Sequence, residues 1–455
     1  MKLILLSGGS GKRLWPMSND SRSKQFLRVL DDGHGNMVSM LQRVWSQLEH
    51  NGLQSNTYIC ASKAQREIIE SQIGICPFIE EPARRDTFPA IALAVTYLAD
   101  VDQCADDEVV AVVPIDPMVD DSYFESIGRL ENVLLQSQSD LALMGVRPNE
   151  ASDKFGYVRV REGEIDRDWL EVDSFIEKPH KEIAEQLIAG GALWNCGVFC
   201  FRIGYIKQFL ITQGYSASYH DLLQQFESLP KNSFDYEVVE NAERISILPY
   251  AGQWKDLGSW ETLSTEFASD FVGLGNIEGC EETHVINELG IPLVAMGLRN
   301  SIVVATPDGI LVSAKKDSGG IKSIVNEYGD RPMFEERRWG TYRVLDYQKS
   351  VDGIEVLTKF VQISAGRNIS YQKHLLRSEV WTIVEGHGEI VLDTRIMPVQ
   401  AGDVVRIHTG QWHAICANDN LSFIEVQRGT ELIEEDIIRR CLTWSEIVSL
   451  CQVLA

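Results

Sequence analysis

A chain of 455 residues exceeds what one hydrophobic core ordinarily serves, so two or three domains are expected. Its 44% hydrophobic and 24% charged residues are those of a folded globular protein without low-complexity tracts. A formal net charge of −24 argues against nucleic acid or an anionic membrane as partner, so any phosphate site has to be locally basic.

The first residues, 1–6, carry one Lys and a short apolar run, too brief for a signal peptide or a membrane span, which points to the cytoplasm. Nine cysteines without paired CxxC spacing fit a reducing compartment, and Cys196 and Cys200 in WNCGVFCFR read as part of a buried strand. Residues 3–6, 57–60, 109–113 and 141–146 read as buried parallel strands, while 37–48 and 90–98 have helical spacing. That alternation predicts an α/β sheet, Rossmann-like, with helices on both faces and ligands at the carboxyl ends of its strands. Short β segments then recur through IPLVAMGLRNSIVVATPDGILVSAK, as in a coiled stack of strands. From Arg338 to about Arg428 the pattern is all β, punctuated by Gly366, Gly386, Gly402 and Gly410, which predicts a small antiparallel barrel. Residues 434–454 read as helix.

The loop after the first strand, Ser7-Gly8-Gly9-Ser10-Gly11-Lys12-Arg13, joins glycines that let backbone N–H groups approach a polyphosphate to cations that offset its charge. It is not a P-loop, because Arg13 follows Lys12 where Ser or Thr would hold magnesium. A plain strand-to-helix turn is the alternative for the loop taken alone.

GGSGKRLWPMS with Lys24-Gln25-Phe26-Leu27 resembles the signature of sugar-phosphate nucleotidyltransferases, in particular the mannose-1-phosphate guanylyltransferases. EPARRDTFPAIALA, PIDP, FGY, FIEKP, WNCGVF, FDYEVVE and WKDLGSW follow in the order expected of that family. The resemblance implies that mannose 1-phosphate attacks the α-phosphorus of GTP, giving GDP-mannose and pyrophosphate. The attacking oxygen is already ionised near neutral pH, so positioning and charge neutralisation carry the chemistry.

By the same resemblance Arg13 and Lys24 hold the phosphates, and Asp116 and Asp256 hold Mg²⁺, all four being the catalytic set. Gly8, Gly9, Gly11, Lys12, Arg85 and Asp86 are implied to bind nucleotide. Gly156, Glu177, Lys178 and Asn195 resemble the sugar-phosphate pocket. Two departures stand out: Asp116-Pro117 replaces the usual Asp-His, and Arg85-Asp86-Thr87 replaces Arg-Asn-Thr. Asp86 either accepts from guanine N–H groups or caps the helix that contains Pro89.

In the barrel region Gly366, Gln372-x-His374, Glu379 and Gly386 resemble a first cupin motif with Gln for its first His, and Gly402, His408-x-Gly410-x-x-His413 a second. Gln372, His374, Glu379 and His413 form a mixed N/O set suited to Zn²⁺ or another divalent metal. RRWGTYRVLD through FIEVQRGTELIEEDIIR resembles the isomerase half of bifunctional mannose-6-phosphate isomerase/mannose-1-phosphate guanylyltransferases, which implies that Arg377 binds the isomerase substrate. Leu375, Leu376 and Val380 stand where that family is rich in histidine, and are expected to remove polar groups from the pocket. His387 reads as a solvated turn residue.

Three parts are expected: a nucleotidyltransferase domain over 1–270, a β-helix-like connector over 271–335 and a cupin over 336–455. A homodimer is the expected assembly. The alternatives are a transferase for another base or sugar, a silent sugar-phosphate sensor, and a transferase whose cupin serves only as a subunit interface.

Overall fold

Continuous apolar runs are what strands covered on both faces require, and the first half of the chain is built on them. The structure, a computed structural model, describes residues 1–8, 12–19, 21–161, 167–325, 328, 331–433 and 436–454. A nine-stranded sheet runs in the order Phe78–Glu81, Thr57–Ser62, Lys2–Leu6, Val109–Pro114, Leu193–Arg202, Leu141–Val146, Ile245–Tyr250, Leu170–Glu177, Gly156–Val160. Its first four strands are parallel. Leu193–Arg202, which carries the buried Cys196 and Cys200, is antiparallel to the neighbours on both sides, so the sheet is mixed rather than parallel throughout. The nine cysteines are free.

Period-two alternation sends Leu3 and Leu5 into one core and Ile4 into the other, so helices pack on both faces. The helix expected from residue 37 begins at Met40, because Ser39 and Gln42 close a reciprocal capping box there. Met37–Val38 instead pairs as a short strand with Leu30–Asp31. Asp86 caps the helix Thr87–Asp100 by accepting from the Thr87 N–H.

Strands Phe271–Gly273, His284–Asn287 and Ser301–Thr306 then stack in parallel, as do Gly275–Glu278 and Leu293–Met296. Gly273 and Gly275 turn the coil's corner with positive φ, where a Cβ would fall 2.0 Å from the Asn287 carbonyl oxygen and 1.8 Å from that of Leu293. The last part folds into two antiparallel sheets of six and five strands enclosing Trp381, Phe423 and Ile363. Residues 434–454 are not one helix: Ile438–Cys441 is a strand paired with Tyr371–Lys373, and the helix is Trp444–Leu454. Residues 434 and 435 of that expectation lie outside the described residues.

The parts are tied side chain to side chain. Arg22 grips Glu288 through two parallel bonds of 3.0 Å, and Arg28 donates to Glu336 at 2.7 Å. Among the described residues no helix is long and apolar enough to cross a membrane.

Candidate active site and barrel cluster

Two strand ends and one turn build the first cluster. Leu6 ends its strand and Ser7 is fixed by its N–H to the Cys60 carbonyl, 3.0 Å, while the Gln25 amide donates to the Ser7 carbonyl and hydroxyl at 2.8 and 2.9 Å. That anchor seats the turn Lys24–Phe26, and Lys24 Nζ donates to Asp116 Oδ2 at 2.6 Å and lies 4.0 Å from Asp256 Oδ1. Asp256 arrives because Trp254–Asp256 pairs antiparallel with Pro117–Val119, placing it opposite Pro117. Arg13, on the turn Lys12–Leu14, is near enough for its charge to act on all three.

Burial works against the Lys24 charge, but Asp116 and Asp256 outweigh it and hold the ammonium above the ordinary lysine value. Burial likewise opposes the Asp116 charge, and Lys24 overrides it, keeping that carboxyl below its usual value. At Asp256 burial prevails over Lys24, with Asp116 adding like-charge repulsion, and the carboxyl is raised. One ammonium thus faces two unequal carboxylates.

A second cluster meets the cleft at Asp235, which lines it together with Gly8, Lys24, Asp116 and Gly197; Gly156, Glu177, Lys178 and Asn195 do not themselves line it. Asn195 donates to Asp235 at 2.8 Å and accepts from the Gly197 N–H. Lys178 donates to Glu177 at 2.5 Å, and Glu177 pairs across the sheet with Gly156. Burial, reinforced by the Glu177 charge, pushes Asp235 up to about 7.

The third cluster lies inside the barrel. Strand alternation turns Arg377, Glu379 and Trp381 inward, and Gln372 pairs with His413 across two strands. His374 donates Nδ1–H to the Asp436 carbonyl at 2.5 Å and His413 donates Nδ1–H to the Gln411 carbonyl at 3.0 Å, so both Nε2 lone pairs face the interior, where that of His374 accepts from Arg377. They lie 3.3 and 3.7 Å from the Glu379 carboxylate. Burial, and for His374 also Arg377, lowers these imidazoles to about 3 and about 4. Gln372 Oε1 accepts from Ser370 at 2.8 Å. Arg377 donates to Glu379 at 2.9 Å, to the Ile433 carbonyl at 3.1 Å and to His374 at 3.3 Å. Leu375, Leu376 and Val380 are exposed and do not line the cavity, so these departures remove nothing from it, contrary to the expectation from sequence.

Residues 2–271 match the Nucleotidyl transferase family. The chain belongs to that family. Residues 331–441 match the Mannose-6-phosphate isomerase C-terminal family. Curated relatives of this nucleotidyl transferase include the alginate biosynthesis protein AlgA of Pseudomonas aeruginosa, 27% identical over 96% of this chain and 95% of the relative. Another is the mannose-1-phosphate guanylyltransferase of Escherichia coli, 29% identical over 96% and 97%. A solved structure described as mannose-1-phosphate geranyltransferase from Thermus thermophilus superposes with a TM-score of 0.59 at 26% identity, covering 71% of this chain and 98% of that one.

Within the nucleotidyl transferase part, not every residue singled out from sequence lines the cleft. Lys12 lines a separate one beside Trp15 and Asp308, and Gly9 and Gly11 lie outside the described residues. Arg85 lines the main cleft but gives Nε and Nη2 to the Leu229 carbonyl at 3.1 and 2.7 Å. Glu81 was missed. It is buried beside the cleft, pushed up to about 7 by burial, and touched only weakly by the Cys60 thiol at 3.6 Å. Its adjacency to Pro82 and the Arg84-Arg85 pair was the available signal, but burial is not written in a motif.

Nucleotidyl transferases and cupins generally use divalent metal ions. The donors suit them. Asp116 and Asp256 offer hard carboxylate oxygens with one cation between two charges. In the barrel, His413 Nε2 is buried without a hydrogen-bond partner, and single donor atoms of His374, Glu379 and His413 lie within 4.8 Å of one another.

Proposed function

We propose that the chain joins mannose 1-phosphate to GTP, forming GDP-mannose and releasing pyrophosphate. The observation that carries this reading is the meeting of Lys24 with Asp116 and Asp256, Lys24 and Asp116 lining the same cleft as Gly8 and Asp235. A sugar-phosphate oxygen attacks the α-phosphorus, the bond to the β-phosphate oxygen breaks, and pyrophosphate leaves with that electron pair. Lys24 and Arg13 offset the charge on the phosphates, with Gly8 in the same cleft as Lys24. Mg²⁺ held by Asp116 and Asp256 supplies further countercharge.

Glu177 and Asn195 read mannose hydroxyls beside Gly156, and Lys178 meets the sugar phosphate as a point charge. Glu81 is the acceptor we assign to guanine N–H groups, with Arg85 and Asp86 nearby. The names of the relatives support mannose and guanine over other partners. We place the reaction in the cytoplasm and the chain in a homodimer, whose size light scattering checks.

A second reading is favoured by the paired Nε2 lone pairs facing Glu379: isomerisation of mannose 6-phosphate in the barrel. There His374, Glu379, His413 and Gln372 hold Zn²⁺ or another divalent ion, and Arg377 orients Glu379 and the substrate. Pyrophosphate release is measured with Mg²⁺, mannose 1-phosphate and each of GTP, ATP and UTP, and fructose 6-phosphate formation from mannose 6-phosphate in parallel. Release with GTP and mannose 1-phosphate is expected; no release with any nucleotide sinks the transferase reading.

A further inference from the structure

Arg337, Arg338 and Arg439 line the barrel cavity, and Arg337 also pairs through Nη2 with the buried Glu335, leaving Nη1 toward Glu67. In a chain of net charge −24 this is an unusual surface: five cationic side chains and two acidic ones line the cavity. One of the two acids does not come from the barrel. Glu67, in the first turn of the transferase helix Arg66–Ile73, places Oε1 3.4 Å from Arg439 Nη2 and Oε2 3.9 Å from Arg337 Nη1.

A carboxylate set between two guanidinium groups is the charge pattern a phosphate monoester presents, and it is weaker there because it brings one negative charge where the phosphate brings nearly two. Behind the mouth, Trp339, Tyr342 and Trp381 give aromatic walls, and Ser370, Gln372 and Gln427 give hydroxyl and amide groups. Flat apolar faces beside amides suit a polyhydroxylated ring. With Glu67 seated, the cavity holds about 70 Å³. Small-molecule pockets ordinarily hold roughly 300–1,000 Å³. Glu67 leaving its arginines frees the anion position at the mouth, and the walls behind have to move as well for a phosphorylated hexose to enter.

We propose that the arginine mouth of the barrel binds the phosphate group of a phosphorylated sugar, and that Glu67 of the transferase part occupies this site as an internal anion until the ligand displaces it. Arg377, engaged with Glu379, His374 and the Ile433 carbonyl, then serves the cluster below while Arg337 and Arg439 take the phosphate. The inference deepens the reading of the barrel as a phosphosugar-binding cupin.

The test titrates mannose 6-phosphate into the full-length chain and follows tryptophan fluorescence, to which Trp339 and Trp381 in the cavity contribute. Removing a competing internal anion by Glu67→Ala is expected to tighten binding by about tenfold or more. Adding Arg337→Ala and Arg439→Ala is expected to abolish that gain, and mannose without its phosphate is expected not to bind. Should Glu67→Ala melt early, Glu67→Gln keeps the shape, removes the charge, and is judged by the same criterion. Affinity unchanged or weakened in the Glu67 variants, or a gain that survives loss of both arginines, overturns the proposal. Binding without fructose 6-phosphate formation would defeat the isomerase reading and leave this site standing.

Discussion

Lys24 faces two carboxylates, Asp116 held low by its charge and Asp256 held high by burial, and its ammonium lies within 4.0 Å of both. Lys24→Met leaves Asp116 and Asp256 repelling each other where phosphate charge has to be received. Pyrophosphate release is expected to fall by roughly a hundred- to a thousandfold in kcat, the scale of losing one preorganised charge stabiliser. A loss confined to KM would show that Lys24 only binds substrate.

Glu81 makes a different prediction. Its carboxyl has an ordinary value of 4.5 and is held up to about 7 in the fold by burial. Between those values the folded chain keeps a proton that the unfolded chain has released, so stability from this group is full below 4.5 and is lost as pH rises to about 7. The loss is about 3 kcal/mol at most. Glu81→Gln removes the titration, so the Tm difference, variant minus wild type, is expected to be more positive at pH 8 than at pH 5. An equal difference at both pH values would show that Glu81 titrates normally. If the same carboxyl accepts from guanine, the variant's KM for GTP also rises.

At the scale of elements, the site depends on cross-strand pairs. Glu177 stands opposite Gly156, and a Cβ there would lie 2.5 Å from Glu177 Oε2 and 2.7 Å from Phe175 Cζ. Gly156→Ala is expected to push Glu177 aside and raise KM for mannose 1-phosphate more than it lowers kcat; steady-state kinetics with each substrate varied decides this. The strands at 3–6, 57–60, 109–113 and 141–146 were legible because a doubly covered sheet demands unbroken apolar runs. The antiparallel insertion of Leu193–Arg202 was not, since its local pattern is the same in either direction and tertiary packing chooses the partner. Ile438–Cys441 was hidden for a related reason: its pairing partner, Tyr371–Lys373, lies far away in the chain. The motifs put Lys24, Asp116 and Asp256 in order and implied Arg85 for the nucleotide, but they carried no sign that the Leu229 carbonyl, far along the chain, engages its guanidinium. Which face Leu375, Leu376 and Val380 occupy likewise followed only from the folded barrel.

Across the whole molecule, the helix Arg66–Ile73 stands between the two chemistries. Its one end carries Glu67 to the barrel mouth. Gln65, at its N-cap, donates to the Ser23 hydroxyl at 2.9 Å, and Gln72 donates to the Phe26 carbonyl at 2.9 Å, so the helix holds both ends of the turn that presents Lys24. Ser71 adds a bond of 3.1 Å to Glu336, next to the arginine mouth. A ligand that lifts Glu67 from Arg337 and Arg439 therefore pulls on the same rigid element that positions Lys24 between its carboxylates. Coupling carried by such packed elements is worth about 0.5–2 kcal/mol, or roughly two- to thirtyfold in an equilibrium. With mannose 1-phosphate held saturating, mannose 6-phosphate is expected to shift the KM for GTP within that range in the wild-type chain. In Glu67→Ala the helix has already lost its ion pairs to Arg337 and Arg439, and the shift is expected to vanish although the ligand binds more tightly. An equal shift in both proteins would mean that mannose 6-phosphate acts directly in the transferase cleft and that the helix transmits nothing.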